Sequence, residues 1–209
     1  MRFGGVILCG GKSTRMGRDK ATLPFGPELM LQRVVRLLSQ VVERQKIVIV
    51  AAPDQQLPPL PTDIAVARDR CPGRGPLEGL SAGLNALLGK VDAVYATSCD
   101  VPLLVPAFVT LMFELLDDYD IAVPCEADQY HPLAAVYRLT VLKDVQELLS
   151  GDQLRPRFLF DRVKTRSVSI DDLRNIDPEL QTLLNLNHPD DYQSALAAAG
   201  FSDDRPGNN

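Results

Sequence analysis

Val6-Ile-Leu-Cys-Gly-Gly-Lys-Ser-Thr-Arg-Met-Gly-Arg-Asp-Lys20 is the stretch on which the reading of this chain turns. An apolar run, Phe3 to Cys9, ends in the pair Gly10-Gly11, and a polar loop carrying Lys12, Arg15, Arg18 and Lys20 follows. That order describes a buried strand feeding a cation-rich glycine loop. Gly10 and Gly11 can take backbone angles closed to other residues and let a ligand come close to the main chain. Free N–H groups beside Lys and Arg suit a chain of phosphates. Two common phosphate motifs fail on spacing. A Walker A loop ending in Gly11-Lys12-Ser13 needs its first glycine at residue 6, which is Val6. The dinucleotide fingerprint needs a glycine at residue 12, which is Lys12.

From this loop outward, the 209 residues are enough for one large domain with a sizeable core. A hydrophobic share of 45% and a charged share of 23% are those of an ordinary globular protein. The net charge of −5 argues against a general nucleic-acid surface, so the basic loop is a local feature on an acidic background. No apolar run approaches the length of a membrane span, and Met1-Arg2-Phe3 leads directly into the first strand, so no signal peptide is expected. Cys9, Cys71, Cys99 and Cys125 are widely spaced with no Cys-x-x-Cys pair, which reads as buried free thiols in a reducing cytoplasm.

Apolar spacing predicts a helix over 28–44, and Lys46 to Ala52 reads as a strand buried on both faces. The proline-rich 53–61 is an irregular connection, followed by a short strand at 64–67 and a helix at 76–88. A strand at 93–97, a helix at 106–116 opened by a proline and a strand at 121–124 complete the first half. Strands and helices alternate, which predicts a Rossmann-like three-layer α/β/α fold around a mainly parallel sheet. In such sheets ligands sit beyond the carboxyl ends of the strands, where residues 10–20, 68–79, Asp100 and 125–131 all fall. The second half reads as a strand at 133–138, helices at 139–149 and 155–162, strands at 166–170 and 183–187, and a terminal helix at 189–199. One domain is expected over 1–200, with a nucleotide half to about 125, an acceptor half after it and a fraying tail from 201.

Four further groups bear chemistry. Asp100 ends a buried strand and precedes Val101-Pro102. Its carboxylate there suits Mg²⁺, which needs few protein ligands, and on spacing alone it equally suits a turn cap. Asp69 to Leu80 packs three glycines and two prolines ahead of a helix, an anion-friendly place. His131-Pro132 sits at a turn into a strand, and Arg155 and Arg157 follow a helix. Strand alternation at 183–187 would put Asn185 and Asn187 on one face, two amides suited to a polar ring or a phosphate.

Leu-x-Gly-Gly-x-x-x-Arg-Met-Gly-x-Asp-Lys over residues 8–20 resembles the signature of the nucleotidyltransferases, and most closely that of the MobA-like molybdenum cofactor guanylyltransferases. Cys9 stands where that family usually has alanine. Cys99-Asp100-Val101-Pro102, Asp69 with Gly75-Pro76-Leu77-x-Gly79, His131-Pro132 and Asn185-x-Asn187-x-Pro189 are similar to further family motifs, so the resemblance covers about residues 4–195. It implies a fold of the nucleotide-diphospho-sugar transferase type and transfer of GMP from GTP to the terminal phosphate of molybdenum-bound molybdopterin. Lys20, Arg15 and Asp100 would then be catalytic, with Mg²⁺ on Asp100. Leu8, Cys9, Gly10, Gly11, Lys20, Asp69, Gly75, Pro76, Leu77, Gly79 and Asp100 would bind the nucleotide. Gly17, His131, Arg155 (or Arg157), Asn185 and Asn187 would face the acceptor. The resemblance further implies a cytoplasmic monomer or weak oligomer, with molybdoenzyme chaperones or cofactor-insertion proteins as partners. Ala51 stands where the family often carries an asparagine on the nucleotide side. Cytidylyl transfer to molybdopterin or to a sugar phosphate is the competing reaction, and a non-catalytic nucleotide-binding regulator the competing class.

Overall fold

β1 (Phe3–Leu8) forms because a β-branched apolar run can be covered on both faces, and Val6 and Ile7 are fully buried. The structure is a computed structural model that describes residues 1–10, 19–69, 71 and 73–201. After a 3₁₀ turn at Lys20–Thr22, β2 (Pro24–Phe25) and β3 (Glu28–Leu29) make a small antiparallel hairpin. Then follow α1 (Met30–Leu38), β4 (Ile47–Ala51), β5 (Ala65–Arg68), α2 (Pro76–Ala86), β6 (Ala93–Ser98), α3 (Pro106–Leu116), β7 (Ile121–Glu126) and β8 (Gln129–Tyr130). The chain continues through β9 (Ala135–Arg138), α4 (Leu142–Ser150), α5 (Pro156–Phe160), β10 (Thr165–Ser169), α6 (Ile170–Leu173) and α7 (Pro189–Ala198).

The main sheet runs β10-β7-β9-β6-β1-β4-β5, with β8 paired to the end of β7. β9 is antiparallel to both β6 and β7, and the remaining long strands point one way. Alternation along the strands splits the core into two layers. Ile7, Ile47 and Ile49 meet Leu31, Val35, Phe108 and Met112 of α1 and α3 on one face. Val6, Val48 and Val50 meet Leu77, Leu80 and Leu84 of α2 with Val145 and Leu148 of α4 on the other. This is the expected three-layer α/β/α arrangement around a mainly parallel sheet. A smaller third cluster packs Tyr192 and Leu196 of α7 on Phe25 and Met30.

Three expectations need correction. The helix expected over 28–44 occupies only Met30–Leu38. Gly26, with φ of 61°, turns the chain so that Glu28 pairs with Phe25, and the Ser39 hydroxyl bonds the Val35 carbonyl at 2.6 Å at the other end. The helix expected over 139–149 begins as a 3₁₀ turn, Leu139–Val141. The strand expected over 183–187 is absent. After a 3₁₀ turn at Gln181–Leu183 the segment crosses the carboxyl edge of the sheet, and the Leu186 N–H bonds the Asp100 carbonyl at 3.0 Å. Leu186 is buried while Asn185 and Asn187 are exposed beside it.

Candidate active site

Three parallel strands end at one place and set the site. β1 and β6 run in register, Leu8 beside Ser98, so Cys9 and Cys99 leave the sheet side by side. The Cys9 N–H bonds the Val50 carbonyl at 2.8 Å, and the Cys99 N–H bonds the Leu8 carbonyl at 3.0 Å. Backbone pairing therefore holds both strand ends rigidly up to the point where the chain opens. Asp100 follows at once, with one carboxylate oxygen accepting from the Ser98 hydroxyl.

Lys20 closes the centre. Its ammonium donates to Asp100 Oδ2 at 2.7 Å and to Asn187 Oδ1 at 3.1 Å. The Lys20 and Asp100 side chains are only 16% and 14% exposed, so water screens the pair weakly. Asn187 is held in turn by Asp191, whose carboxylate accepts from the Asn187 and His188 N–H groups at 2.9 and 2.8 Å. Those two backbone donors, His188 foremost, keep the Asp191 carboxyl below its ordinary range. Residues from the 3₁₀ turn at Lys20–Thr22, the end of β6 and the segment before α7 thus meet within hydrogen-bond distance.

A brace behind this centre escaped the sequence reading. Gln55 Nε2 donates to the Cys9 carbonyl at 3.0 Å and to Asp19 Oδ2 at 2.8 Å, while its Oε1 accepts from the Ala52 N–H at 3.2 Å. Asp19 Oδ1 in turn caps the turn that carries Lys20, accepting from the Ala21 N–H at 2.9 Å. Ala51, the position marked as departing from the family, turns its methyl fully into the core. Gln55, four residues on, supplies the carboxamide at this strand end. Its only advance signal was its place in a proline-rich connection, which names no partner. Ser98 and Asp191 have local partners, Asp100 two residues on and the N–H groups of Asn187 and His188, but neither was read as part of the site.

The nucleotide-side candidates divide. Asp69 follows β5; its N–H bonds the Ala51 carbonyl at 2.9 Å and its Oδ1 accepts from the Cys71 N–H at 2.9 Å. Gly75 caps α2 at φ 83° and ψ −173°, a conformation that a side chain would oppose. Leu77 is fully buried, and an added Cβ at Gly79 would lie 3.1 Å from Leu8, so these two seat α2 on β1. Arg74 ties this loop to the far half of the chain through the Leu149 carbonyl at 2.6 Å and Asp152 at 3.1 Å.

The acceptor-side candidates are looser. His131 is half-buried, its N–H bonded to the Pro124 carbonyl at 2.9 Å, and burial pushes its pKa down against the pull of Glu126. Arg155 and Arg157 are exposed at the start of α5. Among the described residues no hydrogen bond or ion pair joins His131, Arg155 or Asn185 to Lys20 or Asp100. Gly11, Arg15 and Gly17, with Lys12, Arg18, Arg70 and Pro72, lie outside the described residues.

Of the four cysteines expected to be buried free thiols, Cys9 and Cys99 are buried, but Cys71 is exposed in the loop after β5 and Cys125 is only partly covered near the end of β7. Two features bound the chemistry. Cys99 keeps its proton, because its contact with the Cys9 thiol, its burial and the nearby Asp100 and Asp19 carboxylates all raise its pKa. Among the described residues no three His, Cys, Asp or Glu side chains gather into a metal cage. The oxygens of Asp100 and Asn187 instead fit a hard divalent ion that takes its other ligands from water and phosphate. A cleft of about 700 Å³ lies apart, lined by Glu28, Arg36, Arg44 and Asp63, and none of the candidate site residues lines it.

Comparison with known proteins bears on the family and the fold. The family model described as "MobA-like NTP transferase domain" matches residues 5–166. A protein of Mycobacterium avium named "Probable molybdenum cofactor guanylyltransferase" is 35% identical, over 95% of this chain and 97% of its own. One of the same name from Carboxydothermus hydrogenoformans is 32% identical, over 91% and 93%. The crystal structure of molybdopterin-guanine dinucleotide biosynthesis protein A from Archaeoglobus fulgidus superposes with a TM-score of 0.78, covering 96% of this chain and 99% of its own. Its 18% identity shows a shared fold alone. A family model over most of the length, and relatives that align nearly end to end, lead to one assignment: the chain belongs to the MobA-like NTP transferases.

Proposed function

We propose that this chain transfers GMP from GTP to the terminal phosphate of molybdenum-bound molybdopterin, releasing pyrophosphate and forming the molybdopterin guanine dinucleotide cofactor. The observation that carries the reading is the meeting of Lys20, Asp100 and Asn187 at the carboxyl edge of the sheet. The named relatives at 32% and 35% identity supply the choice of guanine and of the acceptor.

The attacking phosphate is already anionic, so transfer needs position and charge rather than a general base. Leu8, Cys9 and Gly10 offer main-chain contacts to the nucleotide, and Asp69 lies on its nucleoside side. Lys20 neutralises phosphate oxygens, with Arg15 of the glycine loop as its partner. Asp100 would hold Mg²⁺, which supplies charge neutralisation on the phosphates. His131, Arg155 and the two asparagines face the acceptor, in a half of the domain that begins near residue 126. The reading carries with it a cytoplasmic setting, in keeping with four free cysteines.

A nucleotide-swap assay tests it. Each of four nucleoside triphosphates is supplied with Mg²⁺ and molybdenum-loaded molybdopterin, and pyrophosphate is measured. GTP is expected to support release well above the other three. Preference for CTP would move the assignment to cytidylyl transfer. GTP binding with no pyrophosphate, acceptor present, would make the chain a regulator.

A further inference from the structure

The Lys20 ammonium occupies a point between two oxygens of the kind a hard divalent cation takes, Asp100 Oδ2 at 2.7 Å and Asn187 Oδ1 at 3.1 Å. The Asp100 carboxylate and the Asn187 main chain are held independently of Lys20. The Ser98 hydroxyl holds the other Asp100 oxygen. The backbone on either side of Asn187 is tied down, Leu186 N–H to the Asp100 carbonyl at 3.0 Å and Asn187 N–H to Asp191 at 2.9 Å. The base of the Lys20 side chain is fixed too, because Asp19 caps its turn and Gln55 holds Asp19. The four-carbon stem can turn and carry the ammonium away from the two oxygens while the main chain stays in place.

We propose that Lys20 is a place-holder for the metal: its ammonium fills the cation position between Asp100 and Asn187 until a nucleoside triphosphate draws it onto the phosphates, so that free metal ion is excluded and the metal enters together with the nucleotide. The proposal rests on the reading of Asp100 as the metal-holding residue. It adds Asn187 as the second oxygen of that position, where the family resemblance had placed it toward the acceptor. The physical ground is competition of like charges. An ammonium held by two acceptors, with its partner carboxylate at low exposure, repels a divalent ion from the same oxygens, and a triphosphate is the stronger counter-charge for the ammonium. One residue then serves two positions in sequence, with its main chain unmoved.

The test reads Mn²⁺ binding from the loss of the free-ion electron paramagnetic resonance signal. The full chain and Lys20→Met are titrated with and without α,β-methylene GTP. Without nucleotide, Lys20→Met is expected to bind Mn²⁺ at least about tenfold more tightly than the natural chain, since the competing charge is gone. With nucleotide, the natural chain gains the same site. Adding Asp100→Asn to Lys20→Met should abolish the gain, and adding Asn187→Ala should reduce it. Lys20→Ala serves as a second variant, with matched melting curves to separate binding from folding. Equal nucleotide-free binding by the natural chain and both Lys20 variants, with nucleotide-dependent binding intact, would overturn the place-holder and leave the metal role of Asp100 standing. Undiminished Mn²⁺ binding by Asp100→Asn in the presence of nucleotide would remove that role, and the proposal with it.

Discussion

His131 lies at the same sheet edge as Asp100, yet its environment gives it a different character. Burial favours the neutral imidazole and outweighs the pull of Glu126 toward the charged form. Its folded pKa is therefore below the ordinary 6.5, and the unfolded chain takes the proton first as pH falls. The stability that His131 contributes is present above pH 6.5 and is lost as the pH drops through that value toward the folded pKa. Acidification from neutrality should thus lower the urea midpoint, and His131→Asn should lose part of that slope. Midpoints of the two proteins at a neutral and an acidic pH provide the check; identical slopes would mean that His131 is not the group responsible. A neutral, half-buried imidazole suits a hydrogen-bonding role beside an acceptor and carries no charge to a phosphate. Lys20, which Asp100 and Asn187 hold in place, does carry a charge at this edge.

α2 couples the elements of the nucleotide side, and glycine makes the coupling close. A Cβ built on Gly83 would lie 2.5 Å from Val6 Cγ1 in the fully buried centre of β1. Gly83→Ala must therefore push α2 off the sheet, an overpacking cost of about 1–3 kcal/mol. Chemical denaturation measures it, and an unchanged midpoint would show that β1 and α2 have slack. The same displacement moves Gly75 and the loop before it. The sequence foretold elements of this kind well, since each carries its own signal. Pro106 marks the start of α3 and Leu116 its end, and the β-branched run 47–51 could only be a strand with both faces covered. It failed where an element is decided by a distant partner. Glu28 has helical neighbours but pairs with Phe25, and the apolar alternation at 183–187 describes a strap crossing the sheet edge as well as it describes a strand. The site divides in the same way. Lys20 and Asp100 stood out as motif residues, whereas Gln55 acts through a distant carbonyl that no spacing rule names, and the capping-box position of Asp191 marks a helix start and not a site.

On the scale of the whole molecule, the candidate active centre joins segments near the two ends of the chain. Lys20 and Asn187 are 167 positions apart, and their contact exists only because the segment 184–188 lies over the carboxyl edge. α7 keeps that segment there. Its Tyr192 and Leu196 pack with Leu186 on Phe25 and Met30, in a cluster separate from the two layers that clamp the main sheet. A small satellite cluster buries less apolar surface than either layer and should open at lower free energy, as a unit of its own. Amide exchange followed by mass spectrometry should show residues 186–201 exchanging before β1, β6 and β4. Leu196→Ala removes a buried side chain at a cost of about 2–5 kcal/mol, and this cost should fall on the strap. Protection of 186–201 should collapse while protection of β1 and β6 stays near its original value. Uniform loss across the sheet would instead make α7 part of the global folding unit. If the strap opens alone, Asn187 leaves Lys20 and Asp100 with it, so placement of the second oxygen depends on docking of α7 as well as on residues within the centre.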